Sequence, residues 1–185
     1  MIGEAPLIAG RLYGLRTWRV RWSANRPVLS GVFQTTAWND ALEPTKARCR
    51  GRGRTQHSAP APDCRCGIYG MHPSQIGEWF EMTRKPFDWG QTVHGIVEAW
   101  GRVELHEDGF RAEFARPYAI VHVEGYGSWN ESREIAEAMG VDHYVFERVA
   151  DVAEYCEENG LGMNAATVAE LNPYGETLGP ERAVS

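Results

Sequence analysis

Apolar and polar residues alternate with a period of two over much of the first 125 positions, the spacing of half-buried strands. Residues 10–22 read G-R-L-Y-G-L-R-T-W-R-V-R-W. Trp18, Val20 and Trp22 fall on one face and Arg19 and Arg21 on the other. A strand is predicted there, with its arginine face toward water. Asn25-Arg26-Pro27 is a turn signal, and the run Val28 to Thr36 reads as the partner strand of a hairpin. Ala37 to Pro44 reads as a loop anchored by Trp38. In the stretch Thr92 to Leu105, Val93, Val97, Ala99, Gly101, Val103 and Leu105 share one parity. His94, Ile96, Glu98, Trp100, Arg102 and Glu104 share the other. A long bent strand is predicted, with Gly95 and Gly101 at kinks or bulges. Asp108-Gly109 is a hairpin turn. Phe110 to Pro117 returns as a strand, and Tyr118 to Glu124 reads as a further one.

Helical spacing appears in three places. Ile76, Trp79 and Phe80 form an i, i+3, i+4 stripe within Pro73 to Met82. Asn130-Glu131-Ser132 caps a helix from about Arg133 to Met139, which Gly140 stops. Ala150 to Asn159 is a helix ending at Gly160, and the short apolar run Val141 to Phe146 before it reads as a strand. Residues 166–185 turn Gly/Pro/Glu-rich and read as a flexible tail.

The chain has 185 residues, 43% of them hydrophobic and 11% aromatic, which fits a globular core-former. The net charge of −6 argues against electrostatic nucleic-acid binding by the chain as a whole. The charge is uneven, however. Lys46, Arg48, Arg50, Arg52 and Arg54 gather in one short segment, and such Arg/Gly-rich loops do meet phosphates. A solvated loop is the more ordinary reading. No run of 18 apolar residues exists, and the N-terminus lacks a basic-then-apolar leader, so a cytoplasmic protein without a membrane span is expected. Thiols stay reduced there, and clustered Cys and His read as metal ligands before disulfides.

That cluster is the most specific feature of the sequence. Residues 49–67 read C-R-G-R-G-R-T-Q-H-S-A-P-A-P-D-C-R-C-G. Cys49, His57, Cys64 and Cys66 are the ligand set of a Cys3His zinc site. Residues two apart point the same way from an extended chain, so Cys64 and Cys66 can face one ion. Gly67 lets the backbone fold close to it. Four protein ligands close the shell, the mark of a structural zinc. An iron–sulfur cluster is the alternative for this donor set, and a site that used three of the four would leave room for a hydrolytic water.

A second group, Trp100, Glu104, His106 and Arg111, gathers near the predicted hairpin. A His among carboxylates suits acid–base work, and a cross-strand ladder of Glu104 or Glu113 against Arg111 is the plainer reading. The segment I-A-E-A-M-G-V resembles the start of a helix-turn-helix. The helix after it carries Asp151, Glu154, Glu157 and Glu158, which would repel phosphates, so DNA reading is rejected.

Two segments look familiar together. One is C-(x7)-H-S-A-P-(x3)-C-R-C-G-I-Y-G, from Cys49 to Gly70. The other is G-I-V-E-A-W-G-R-V-E-L-H-E-D-G-F-R-A-E-F-A-R-P, from Gly95 to Pro117. Preceded by G-L-R-T-W at Gly14 to Trp18, the pair resembles an uncharacterised family of small proteins from high-GC Gram-positive bacteria and their phages. The resemblance spans about residues 10–120. It implies a shared fold and a shared Cys/His cluster, and no activity.

The predicted fold class is α+β: a bent antiparallel sheet or small β-barrel with a zinc-clamped loop and C-terminal helices. Residues 1–125 would form the β-rich part and 126–165 a helical extension packed on it. The expected function is that of a non-enzymatic, zinc-stabilised binding or accessory protein, of phage or mobile-element origin, acting through a partner protein. The alternatives are a nucleic-acid-associated protein using the 46–54 loop and a metal-dependent or His/Glu hydrolase.

Overall fold

The computed structural model describes residues 10–24, 26–32, 37–38, 43–49, 57–61, 64–77 and 91–163, together with Thr167 and Glu170. Among the described residues, seven strands and two complete α-helices make a mixed α+β fold. The strands are β1 (Leu12–Ser23), β2 (Arg26–Gly31), β3 (Thr45–Lys46), β4 (Ile68–Met71), β5 (Thr92–Leu105), β6 (Gly109–Val123) and β7 (Asp142–Phe146). The helices are α1 (Trp129–Met139) and α2 (Val149–Glu158). β1 pairs with β2, β4 and β5, and β6 pairs with β3, β4, β5 and β7. The pairings β1–β4–β6–β5 run in a ring, joined between β1 and β4 only at Leu15↔Met71.

Among the described strands every pairing is antiparallel but one. β7 lies parallel to β6, from Ala119↔Asp142 to Val123↔Phe146. The all-antiparallel expectation therefore needs correcting, and α1 is the reason. A parallel return needs a crossover longer than a hairpin, and α1 supplies it between β6 and β7.

Alternation along the strands sorts the core onto two faces. Trp18, Val20, Val93, Val97, Phe110 and Ile120 pack with Ile135, Ala136 and Met139 of α1. Leu15, Ile96, Ala119 and Val121 pack with Val152 and Cys156 of α2. Each helix covers one face with its apolar stripe.

Several local departures have physical causes. Trp22 shares its parity with Trp18 yet is 45% exposed, where Trp18 is fully buried. The β1–β5 pairing stops at Arg19↔Thr92, so among the described strands only β2 pairs alongside Trp22. Its indole Nε1 donates to Gln91 Oε1 at 2.8 Å. Arg26 and Pro27 are strand residues opposite Ser23 and Trp22, not the turn itself. Pro27 is tolerated because β2 is a flanking strand bonded to β1. The two strands expected at 110–117 and 118–124 are the single strand β6. It runs through Pro117 because the register slips there, from Ile96↔Ala119 to Val97↔Pro117. A bulge is where a strand can house a residue with no N–H to give. A second slip lies between Trp100 and Val103, around Gly101 at φ +84°.

Helix α1 begins at Trp129, earlier than the sequence spacing indicated. Its N-cap is Ser128, whose Oγ accepts from Glu131 N, and Gly140 closes it in the left-handed conformation as expected. Of the helix expected from Pro73 to Met82, the described part opens with a 3-10 turn at Pro73–Gln75 and is α-helical at Ile76 and Gly77. Residues 78–82, residues 33–36 of the expected second strand and most of the expected tail lie outside the described residues. Among the described residues, no helix is long and apolar enough to cross a membrane.

Candidate metal centre

Three loop segments converge on the open half of the β5–β6 hairpin. β3 brings the first, with Thr45↔Ala115 and Lys46↔Phe114, and Ala47 N donates to Glu113 O at 2.7 Å. Cys49 lies three residues past that strand. The second segment carries His57, and Arg102 Nη1 holds it through the carbonyls of Ser58 and Pro60, both at 3.4 Å. The third carries Cys64 and Cys66 and runs straight into β4, whose Ile68 pairs with Ala112. Cys64 N donates to Ala61 O at 3.0 Å, which turns the chain ahead of the two thiols.

The four ligand atoms all lie within 4.8 Å of one another. Cys49 Sγ and Cys64 Sγ are 3.6 Å apart, and His57 Nε2 and Cys66 Sγ are 3.2 Å apart. A tetrahedral ion bound at about 2.3 Å to sulfur and about 2.0 Å to nitrogen sets its ligand atoms roughly 3.3–3.8 Å apart. These two edges are close to that size and the remaining ones are no longer than 4.8 Å, so this Cys3His group could hold one metal ion. Cys49, Cys64, Cys66 and Cys156 are all free thiols.

The electrostatics of the group favour a cation. Burial would raise the Cys64 thiol, but hydrogen bonds from Cys49, from the Cys66 backbone and from His57 bring it down to about 7. Burial, followed by the hydrogen bond and charge of Cys64, pushes Cys66 up to about 12. One thiolate forms readily and its charge then opposes the next. A divalent cation between them removes that opposition.

The polar group predicted at the hairpin proves to be the floor of this centre. Glu104 and Arg111 are cross-strand partners, joined by an ion pair from Nη2 to Oε1. His106 Nε2 lies 3.1 Å from the same carboxylate oxygen. Arg111 Nη1 donates to the carbonyls of Cys64 and Cys66. Burial would raise the Glu104 carboxyl, and the bonds from His106 and Arg111 more than offset it, holding Glu104 below its ordinary value. Trp100 stands apart, stacked on Phe114 with ring centres 6.2 Å apart. The alternation placed Arg102 on the polar parity of β5 but gave no sign of its loop contacts, which depend on where the 57–61 segment folds.

The basic loop is only partly described. Lys46 pairs with Glu113 at 3.5 Å and lies over the Phe114 ring, Arg48 is exposed, and Arg50, Arg52 and Arg54 lie outside the described residues.

A cavity of about 240 Å³ lies elsewhere, between the start of β5, the end of β6 and α1. His94, His122 and Ser132 line it; none of the four metal-type ligands, nor His106 or Glu104, does. The Ser132 hydroxyl donates to Trp129 O at 2.9 Å within its helix, so its 2.9 Å contact with His143 Nε2 does not make an activated nucleophile. Neither the cavity nor this pair was legible in the sequence, because both depend on the crossover helix.

Comparison of the chain with family models, with curated proteins and with solved structures gives no match.

Proposed function

We propose that Cys49, His57, Cys64 and Cys66 hold a single zinc ion as a closed structural centre, in a non-enzymatic binding or accessory protein that acts through a partner protein. The observation that carries the reading is the convergence of one imidazole and three sulfurs, from three separate loop segments, within 4.8 Å. Three sulfurs and a nitrogen suit zinc among the abundant divalent ions. Ligand atoms this close fit one ion better than an iron–sulfur cluster, whose ligands spread around several metal atoms. With four protein ligands on the ion no position is left for a reacting water, which is why the reading is structural and not hydrolytic.

The ion would tie three loops to the β5–β6 hairpin and fix the outer surface that they form. A reducing compartment such as the cytoplasm would keep the thiols available. Exposed Trp22, Trp129 and Val145 supply apolar anchors of the kind a protein partner uses. The resemblance of residues 49–70 and 95–117 to the uncharacterised actinobacterial and phage family agrees with a phage or mobile-element origin. Elemental analysis of the purified full-length protein tests the centre. One equivalent of zinc per chain, lost in Cys64→Ser, is expected; iron with sulfide, or no metal, would end the reading.

A further inference from the structure

The guanidinium of Arg111 sits in a singular place. The residue is 5% exposed, on the strand that forms the floor beneath the Cys64–Cys66 knuckle. One of its nitrogens donates to two backbone carbonyls, those of the two cysteines that this knuckle contributes. The other terminal nitrogen is tied to Glu104 Oε1, the same oxygen that His106 Nε2 contacts. Burial alone would lower the Arg111 pKa, and Glu104 more than offsets it, so the cation is retained.

Gly67 makes this approach possible. Its φ is +138°, and a Cβ built there would stand 2.9 Å from Arg111 Cβ. Any other residue would be strained in that conformation and would also push the arginine away.

We infer that Arg111 is the positioning residue of the metal centre: one terminal nitrogen fixes both knuckle carbonyls while the other is anchored on Glu104, and the two thiols are so aimed before any ion arrives. The inference rests on the zinc reading above and adds to it. The thiols sit on the same two residues whose carbonyls Arg111 holds, so fixing that stretch of backbone restricts where both sulfurs can go. Glu104 orients the fork and cancels its charge. Lysine cannot substitute fully, because an ammonium is a point donor without the planar spread that reaches two carbonyls and a carboxylate together.

The test uses the full-length chain and two metals. Zinc affinity is measured by competition with a chromogenic chelator. Cobalt(II) is then loaded in zinc's place, and its sulfur-to-metal absorption reports thiolate geometry directly. Arg111→Met is expected to weaken zinc binding by about 10- to 100-fold, the usual cost of losing an outer-shell partner. It should also shift the cobalt spectrum. Arg111→Lys should fall between the two, and Gly67→Ala should resemble Arg111→Met.

Val152→Ala, in the core cluster that contains none of the four ligand residues, serves as the control. It should lower thermal stability with zinc affinity and cobalt spectrum unchanged. If Arg111→Met does not fold, Arg111→Lys decides alone. Wild-type affinity and spectrum in a folded Arg111 variant would overturn the inference while leaving the zinc reading standing. A wild-type protein that binds neither metal would overturn both, and that outcome is visible before any variant is made.

Discussion

His57 Nε2 lies 3.2 Å from the sulfur of Cys66, although the two residues reach that point from different loop segments. Nothing local brings them there. The His57 segment is held by Arg102 from β5, and the Cys66 segment by Arg111 from β6. The hairpin is thus the common support of both ligands. The same two strands supply much of both hydrophobic clusters, Val93, Val97, Phe110 and Ile120 in one and Ile96, Ala119 and Val121 in the other, so the core holds the hairpin independently of the loops it carries.

Metal removal should therefore loosen the loops before it unfolds the sheet. Chelation from a sample with free zinc at about 100 times its Kd is expected to lower stability by about 3 kcal/mol, which is about 6–12 °C in melting temperature for a chain of this size. The β signal in far-UV circular dichroism should persist at room temperature. Complete loss of that signal on chelation would show that the ion nucleates the whole domain.

Gly95 is a second tightly determined point. A Cβ there would overlap the carbonyl oxygen of Ala119 and stand 2.8 Å from the Trp18 ring. Backbone on the neighbouring strand cannot give way cheaply. Gly95→Ala should cost about 3 kcal/mol or more, or prevent folding, as overpacking against a fixed ladder does. Gly77→Ala, whose Cβ would meet no atom of the described residues within 4 Å, should be neutral or slightly stabilising. Denaturant midpoints of the two variants check the contrast; similar values would contradict the close strand packing.

These two regions show what could be read in advance. The alternation along residues 92–105 placed Val93, Val97 and Val103 together, and they are together in the core. The ligand-type residues Cys49, His57, Cys64 and Cys66 stood out because thiols and an imidazole so closely spaced are chemically distinctive. Glu104 and Arg111 stood out too, but their task did not. Whether an ion pair is exposed or lies under a loop depends on where that loop folds, and strand periodicity carries no such information. The same limit hid the parallel β7. Its five residues look alike in either direction, and only the packing of α1 decides between them. Pro117 misled because proline ordinarily ends a strand, whereas here a register slip absorbs it.

Glu98 shares the polar parity of β5 yet is 1% exposed. Arg11, Arg116 and the Tyr13 hydroxyl all donate to it. Burial would raise its pKa, and the two arginines more than compensate, so it stays ionised. A buried carboxylate deprived of its cation is more damaging than the whole pair replaced. Arg116→Ala should cost about 2 kcal/mol in the wild-type background, a figure reduced because Arg11 remains and Arg116 is partly solvated. In a Glu98→Leu background the same change should cost far less. Equal costs in the two backgrounds, measured by chemical denaturation, would mean that the contact contributes nothing to stability.

His94 supplies the pH dependence. Its Nδ1 lies 3.0 Å from Thr17 Oγ1, its cross-strand partner, and burial pulls its pKa down from 6.5 to about 4. The unfolded chain takes up this proton near pH 6.5, and the folded one does not until about pH 4. The unfolded state thus binds more protons across that window, so stability falls as the pH is lowered through it and is unaffected by His94 above it. At about 1.4 kcal/mol per pKa unit the full loss is about 3 kcal/mol. Other buried histidines such as His72 shift the same way, so the wild-type profile alone does not isolate His94. His94→Gln does, since it keeps a polar contact for Thr17 and cannot titrate. The difference in unfolding free energy between variant and wild type, followed from pH 7 to pH 4, should move in the variant's favour by up to that amount. A difference that stays constant with pH would mean that His94 takes up its proton as easily in the folded chain as in the unfolded one.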